Sequence, residues 1–149
     1  MRVLGYDPFQ QRIPPGVETT SLDQLLLESD FISLHVHLSE ETRLLLGASE
    51  LVKMKKGSIL INTSRGGLID EQALIQEMEN GRIAAAGLDV IDGEWMENKF
   101  NHPLIAYSRK NQRLYITPHI GGTSPDAVKM TARHTFQKII KYFHKNPLS

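Results

Sequence analysis

Four residues stand where apolar runs give way to polar ones and carry groups from which a reaction could be built: Asp7, Arg65, Asp89 and His119, with Glu94 in the loop that follows Asp89. A guanidinium is planar and permanently charged, so Arg65 could hold a carboxylate or a phosphate through two parallel hydrogen bonds. An imidazole beside a carboxylate has its charged form favoured, and its pKa rises from about 6.5 into the range useful for proton transfer near neutrality. An Arg, a Glu and a His on three successive strand-end loops would therefore suit proton removal from, or delivery to, an oxygen of a carboxylate-bearing substrate. Each residue alone has a plainer reading: Arg65 as the partner of a nearby acid, His119 as a structural or exposed histidine, Glu94 as a loop acid. Asp7 reads either as a turn-capping acid or as a carboxylate that accepts hydrogen bonds from a ribose diol.

The element that must position Arg65 is the run from Ile59 to Asp70. Ile59-Leu60-Ile61 has the pattern of a buried strand, Asn62-Thr63-Ser64-Arg65-Gly66-Gly67 that of a loop, and Asp70 that of an N-cap for a helix from Glu71 to Asn80. In an open parallel sheet, ligands sit at such strand-to-helix turns, where helix N-termini and loop N–H groups converge. Gly66-Gly67 would let the backbone approach a ligand closely.

The other elements follow the same alternation. Residues 2–6 read as a strand, 10–20 as a loop, and Leu22 to Glu28 as a helix capped by Ser21. Phe31 to His35 is the next strand. His35 and His37 share one face of it, but with no third ligand at an identifiable spacing they read as pocket-lining or exposed residues, not as a metal pair. A turn and short helix over 44–54 closes at Gly57, the helix after Asp70 presents Ala73, Leu74 and Met78 and stops at Gly81, and Ile83 to Leu88 forms a further strand. Residues 91–111 read as one long irregular segment, in which Trp95, Phe100, Leu104 and Ile105 argue against disorder. Arg113 to Thr117 is the last strand, and a helix from Pro125 to His144, capped by Thr123 or Ser124, closes the chain. Strands separated by helices of this size imply right-handed crossovers and a parallel sheet with helices on both faces.

Composition narrows the function classes. The 149 residues suit one domain, and 17 basic against 17 acidic side chains leave no electrostatic footprint for nucleic acid or an anionic membrane. Without cysteine there is no thiolate catalysis, disulfide or thiolate metal site, in keeping with a reducing compartment. The opening Arg2-Val3-Leu4-Gly5-Tyr6 reads as a strand and not as a leader, and no apolar run has the length of a membrane span. A cytoplasmic protein is expected.

The motifs together resemble one family. Asn62-Thr63-Ser64-Arg65-Gly66-Gly67-Leu68-Ile69-Asp70-Glu71, then Gly87-Leu88-Asp89-Val90 with Glu94 beyond, then Thr117-Pro118-His119-Ile120-Gly121-Gly122-Thr123 closely resemble the D-isomer-specific 2-hydroxyacid dehydrogenases, as do Gly5-Tyr6-Asp7-Pro8 and Ser33-Leu34-His35. The resemblance implies that Arg65 binds the substrate carboxylate and carbonyl, that His119 is the general acid/base, and that Glu94 holds and charges it. It implies NAD as cofactor, with Asp7 on the adenosine ribose, Asp89 on the nicotinamide carboxamide, and His35, Thr63, Ser64, Arg65, His119, Gly121 and Gly122 around it. The implied reaction is reversible hydride transfer between NAD and a 2-hydroxy or 2-oxo acid, in a homodimer.

Departures from the family pattern temper this. The family's Gly-x-Gly-x-x-Gly pyrophosphate cradle does not occur in these 149 residues, and His37 and Trp95 stand where the family usually has proline. The expected fold is thus α/β, a Rossmann-like parallel sheet missing its first βα unit: a partial NAD-binding domain over 1–149, without the substrate domain and inactive by itself. The alternative is a non-catalytic module, since the same family includes corepressors that use the nucleotide fold to assemble with partners.

Overall fold

The computed structural model describes residues 1–9, 14–96 and 101–145. The chain divides into two compact units, Met1–Thr117 and Pro118–Ser149.

In the first unit all strand pairs are parallel. A two-stranded sheet joins β1 (Val3–Gly5) to β2 (Val17–Thr19), and a four-stranded sheet runs in the order β3 (Phe31–Leu34), β4 (Ser58–Asn62), β5 (Ile83–Leu88), β6 (Leu114–Ile116). Between the strands lie α1 (Leu22–Glu28), α2 (Ala48–Leu51), α3 (Glu71–Glu79) and α4 (Pro103–Ser108). No residue of β4 or β5 is exposed, as expected for sheet centres covered on both faces. Leu26 of α1, Leu51 of α2, Leu60 of β4, Leu74 and Met78 of α3, Ile83 of β5 and Leu104 of α4 are fully buried in one core.

The helix boundaries follow from local chemistry. The Ser21 hydroxyl accepts the Gln24 N–H at 3.2 Å, and the Asp70 carboxylate accepts the Ala73 N–H at 3.0 Å. Gly81, at φ +72°, ends the turn after α3 in a conformation that side chains disfavour.

β1 and β3 each have one hydrogen-bonded neighbour among the described residues. A cavity of about 440 Å³ is lined by Val3 and Leu4 of β1 and by Phe31, Ile32 and Ser33 of β3. Arg2 spans its rim, pairing with Glu18 at 2.9 Å and Glu28 at 2.6 Å.

Two expectations need correction. Val17–Thr19, expected within a loop, forms β2, because pairing with β1 at Val3↔Val17 and Leu4↔Glu18 supplies the hydrogen bonds that the local sequence does not announce. Residues 91–111 are not irregular throughout: α4 forms there, with His102 as N-cap and Pro103 in the first turn. Leu104 is buried and Ile105 packs against the core, whereas Trp95 is exposed. Residues 10–13 of the expected loop, and Phe100, lie outside the described residues.

The second unit is dominated by α5 (Pro125–Lys145), begun by the Ser124 hydroxyl, which accepts the Ala127 N–H at 3.1 Å. None of its residues is buried.

Candidate active site

The Arg65 turn is built by a buried asparagine. Asn62, fully enclosed at the end of β4, donates through Nδ2 to the Arg65 carbonyl at 2.8 Å and accepts the Ser64 N–H at 2.9 Å. The Ser64 hydroxyl donates to the Leu34 carbonyl at 2.8 Å, which ties the turn to the end of β3. Thr63 and Arg65 are exposed at the tip, and the guanidinium donates from Nη1 to the Ser64 carbonyl at 2.6 Å. Among the described residues no carboxylate pairs with it, so the plainer reading of Arg65 as half of an ion pair gains no support from the geometry.

Beyond Arg65 the chain makes one turn of 3-10 helix, Gly66–Leu68. Gly66 is buried, and a Cβ there would stand 2.1 Å from both the Asp92 nitrogen and the Ile91 carbonyl carbon. The close approach expected of this glycine is thus made to backbone: it seats the Arg65 turn against the segment that follows β5.

That segment begins with Asp89, which is 7 % exposed. Its carboxylate accepts a short hydrogen bond from the Thr117 hydroxyl, and its N–H donates to the Asn62 carbonyl at 2.9 Å, so the ends of β4, β5 and β6 are joined there. Glu94 follows in a turn opened by Gly93 at φ +73° and is half-buried. The structure therefore brings Thr63, Ser64, Arg65, Asp89 and the Glu94 segment to one edge of the larger sheet.

The remaining candidates lie elsewhere. His35, just past β3, is exposed, its Nε2 2.9 Å from the Ser33 hydroxyl. Asp7 follows the separate strand β1 and accepts the Phe9 N–H at 2.9 Å, as a turn-capping acid does. His119, near the start of the second unit, stands at φ +55°, with Gly121 and Gly122 in the exposed turn after it. Among the described residues no group of three His, Cys, Asp or Glu side chains could hold a metal ion.

Three residues that position this site were not singled out by sequence reasoning: Asn62, Thr117 and Glu71. Glu71 accepts the Asp92 N–H at 2.8 Å and stands 3.1 Å from His102 Nε2. Burial pushes its carboxyl up to about 7; the N–H bond from Asp92 opposes the rise, and the Asp92 and Asp70 charges add to it. An acid three residues before an apolar helix face and a His-Pro pair at a helix start were the available signals.

Two of these acids have the chemistry to hold the ends of a dinucleotide. A buried carboxylate held by a threonine suits a carboxamide, and the outer acid at Asp7 suits a ribose diol. A Gly-x-Gly-x-x-Gly cradle for the pyrophosphate is not among the 149 residues.

Comparison with known proteins adds a context. Residues 1–121 match the family described as D-isomer specific 2-hydroxyacid dehydrogenase, NAD binding domain. A hydroxypyruvate reductase of Thermotoga maritima is 40 % identical over 141 residues, 95 % of this chain and 45 % of that protein. A glycerate dehydrogenase of Methylorubrum extorquens is 41 % identical over 132 residues, 89 % of this chain and 39 % of its own length. The crystal structure of a D-lactate dehydrogenase from Aquifex aeolicus, complexed with NAD and lactic acid, superposes with a TM-score of 0.76 at 33 % identity, covering 97 % of this chain and 46 % of that one. The chain thus spans less than half the length of the curated relatives it matches.

Proposed function

This chain belongs to the D-isomer specific 2-hydroxyacid dehydrogenases, and we propose that it serves as the cofactor half of an enzyme that moves a hydride between NAD and a 2-hydroxy or 2-oxo acid. When bound, the nicotinamide supplies or accepts the hydride. The protein's share is to bind, orient and move a proton. Arg65 holds the substrate carboxylate through its two parallel N–H groups. His119 gives a proton to the carbonyl oxygen in reduction and takes it from the hydroxyl in oxidation, with Glu94 as the acid that serves it. Asp89, with Thr117, orients the carboxamide, and Asp7 takes the adenosine ribose. His35, Thr63, Ser64, Gly121 and Gly122 line the cofactor.

The observation that supports this reading best is the seating of Gly66 on the backbone of Ile91 and Asp92, which sets the turn carrying Arg65 against the segment carrying Glu94. Hydroxypyruvate, glycerate and lactate, named for the relatives, are all three-carbon 2-oxo or 2-hydroxy acids. We read residues 1–149 as a partial NAD-binding domain of a cytoplasmic homodimer, a part of the proposal that rests on family resemblance. Among the described residues no helix is long and apolar enough to cross a membrane.

Calorimetric titration of the chain with NADH, beside the Asp7→Ala variant, tests the proposal. Saturable binding that weakens in the variant is expected. A cooperatively melting chain that takes up no NADH would contradict it and favour the scaffold reading.

A further inference from the structure

Glu71 is the first residue of α3, but it does not cap that helix; Asp70 does. Its two carboxylate oxygens reach outward instead. Oε1 accepts the Asp92 backbone N–H at 2.8 Å, and Oε2 lies 3.1 Å from His102 Nε2. The other ring nitrogen, Nδ1, accepts the Leu104 N–H at 3.3 Å as the N-cap of α4. A neutral imidazole that accepts at Nδ1 carries its proton at Nε2, so His102 donates to Glu71. One carboxylate therefore ties Asp92 to His102, and Glu94 lies two residues from the Asp92 anchor.

The setting makes these bonds count. The Glu71 and His102 side chains are 14 % and 15 % exposed, and with Asp92, Gly93 and Met96 they line a cavity of about 360 Å³. We propose that Glu71 is a positioning residue that clasps Asp92 and His102 together and so sets where Glu94 stands. The inference rests on the reading of Glu94 as the acid that serves His119.

The clasp is also titratable near neutrality. Both donors are aimed at the charged carboxylate, while burial pushes Glu71 up to about 7 against the opposing Asp92 N–H bond, with the Asp92 and Asp70 carboxylates adding to the rise. Arg43 faces the same corner, its Nη1 3.8 Å from Asp92. Protonation turns one acceptor oxygen of Glu71 into a hydroxyl, which no longer suits both donors.

The test uses nitrogen-15 spectra of the full chain from pH 5.5 to 8.5, for the unaltered protein, Glu71→Gln and His102→Asn. Asparagine still caps α4 but does not present Nε2 to Glu71. In the unaltered chain the amides of Asp92, Gly93 and Glu94 should shift together with a midpoint near 7. Glu71→Gln should abolish that transition and speed exchange of the Asp92 amide about tenfold, as expected for loss of one hydrogen bond to a charged group. His102→Asn should move the midpoint while the α4 amides keep their protection. Unchanged titration and exchange of residues 92–94 in Glu71→Gln would overturn the proposal; if that variant does not fold, an unmoved midpoint in His102→Asn overturns it. Neither readout uses cofactor or turnover, so a failure here is separate from a failure of NADH to bind.

Discussion

A Cβ placed on Gly66 would stand 2.1 Å from the backbone nitrogen of Asp92, a distance that no side chain can occupy. The turn after β4 and the segment after β5 are thus in backbone contact, and any residue but glycine must part them.

Gly66→Ala is therefore expected to destabilise the first unit by about 3 kcal/mol or more, at or beyond the upper end of ordinary overpacking. Gly67→Ala is the control. Its new methyl would meet Leu38 Cδ2 at 3.1 Å and the Arg43 Nη1 at 3.4 Å, the ends of side chains that can turn away, and should cost under about 1.5 kcal/mol. Urea unfolding of both variants checks the contrast.

Asn62→Ala should cost about 2–4 kcal/mol, because it removes two hydrogen bonds and leaves the Ser64 N–H and Arg65 carbonyl without that partner beside a buried site. The accompanying loss of turn geometry would show as a change in the amide shifts of Ser64 and Arg65.

The pH dependence of stability carries a sign set by Glu71. Its folded value of about 7 lies above the ordinary value of 4.5, so between those limits the folded chain holds a proton that the unfolded chain has released. This contribution is full below about pH 4.5 and is lost as pH rises through 7. Glu71→Gln should flatten the decline, read as the difference between the two melting curves across pH. Glu28 acts in another window: hydrogen bonds from Gln24 and then Arg2 hold its carboxyl below the ordinary value, so its contribution is lost only as pH falls into the acid range.

Capping offers a smaller effect. Asp70→Ala should cost about 1 kcal/mol by leaving the Ala73 N–H unsatisfied. Because Glu71 follows directly, a larger loss would indicate that the clasp on Asp92 had shifted as well.

Much of this was legible in the sequence where a signal is local. Ser21 and Asp70 announce α1 and α3 through their own side-chain chemistry, and the parallel strands β3, β4 and β5 are apolar runs between helices. What escaped notice depends on partners distant in sequence. β2 is three residues long and exists through its pairing with β1, and α4 is one and a half turns fixed by a histidine cap and by burial of Leu104. For the site, Arg65, Asp89 and Glu94 stood out by type and place. Asn62 and Thr117 did not: the Asn62 side chain bonds Ser64 and Arg65 within its own turn, where it reads as an ordinary loop residue, and Thr117 acts through a bond to Asp89, far away in sequence. Gly66 was noticed for the right property, close approach, but toward a ligand and not toward Ile91 and Asp92.

The central claim of the proposal is that Asp7, Ser64 and Asp89 contact NAD. The measurement that tests it most directly is a titration of the nitrogen-15-labelled chain with NADH, followed through its backbone amides. The account predicts saturable shifts concentrated at those three residues and at Thr63, with little change in α1 or α2. Shifts confined to other surfaces, or none at all in a chain with the dispersed spectrum of a folded protein, would contradict it.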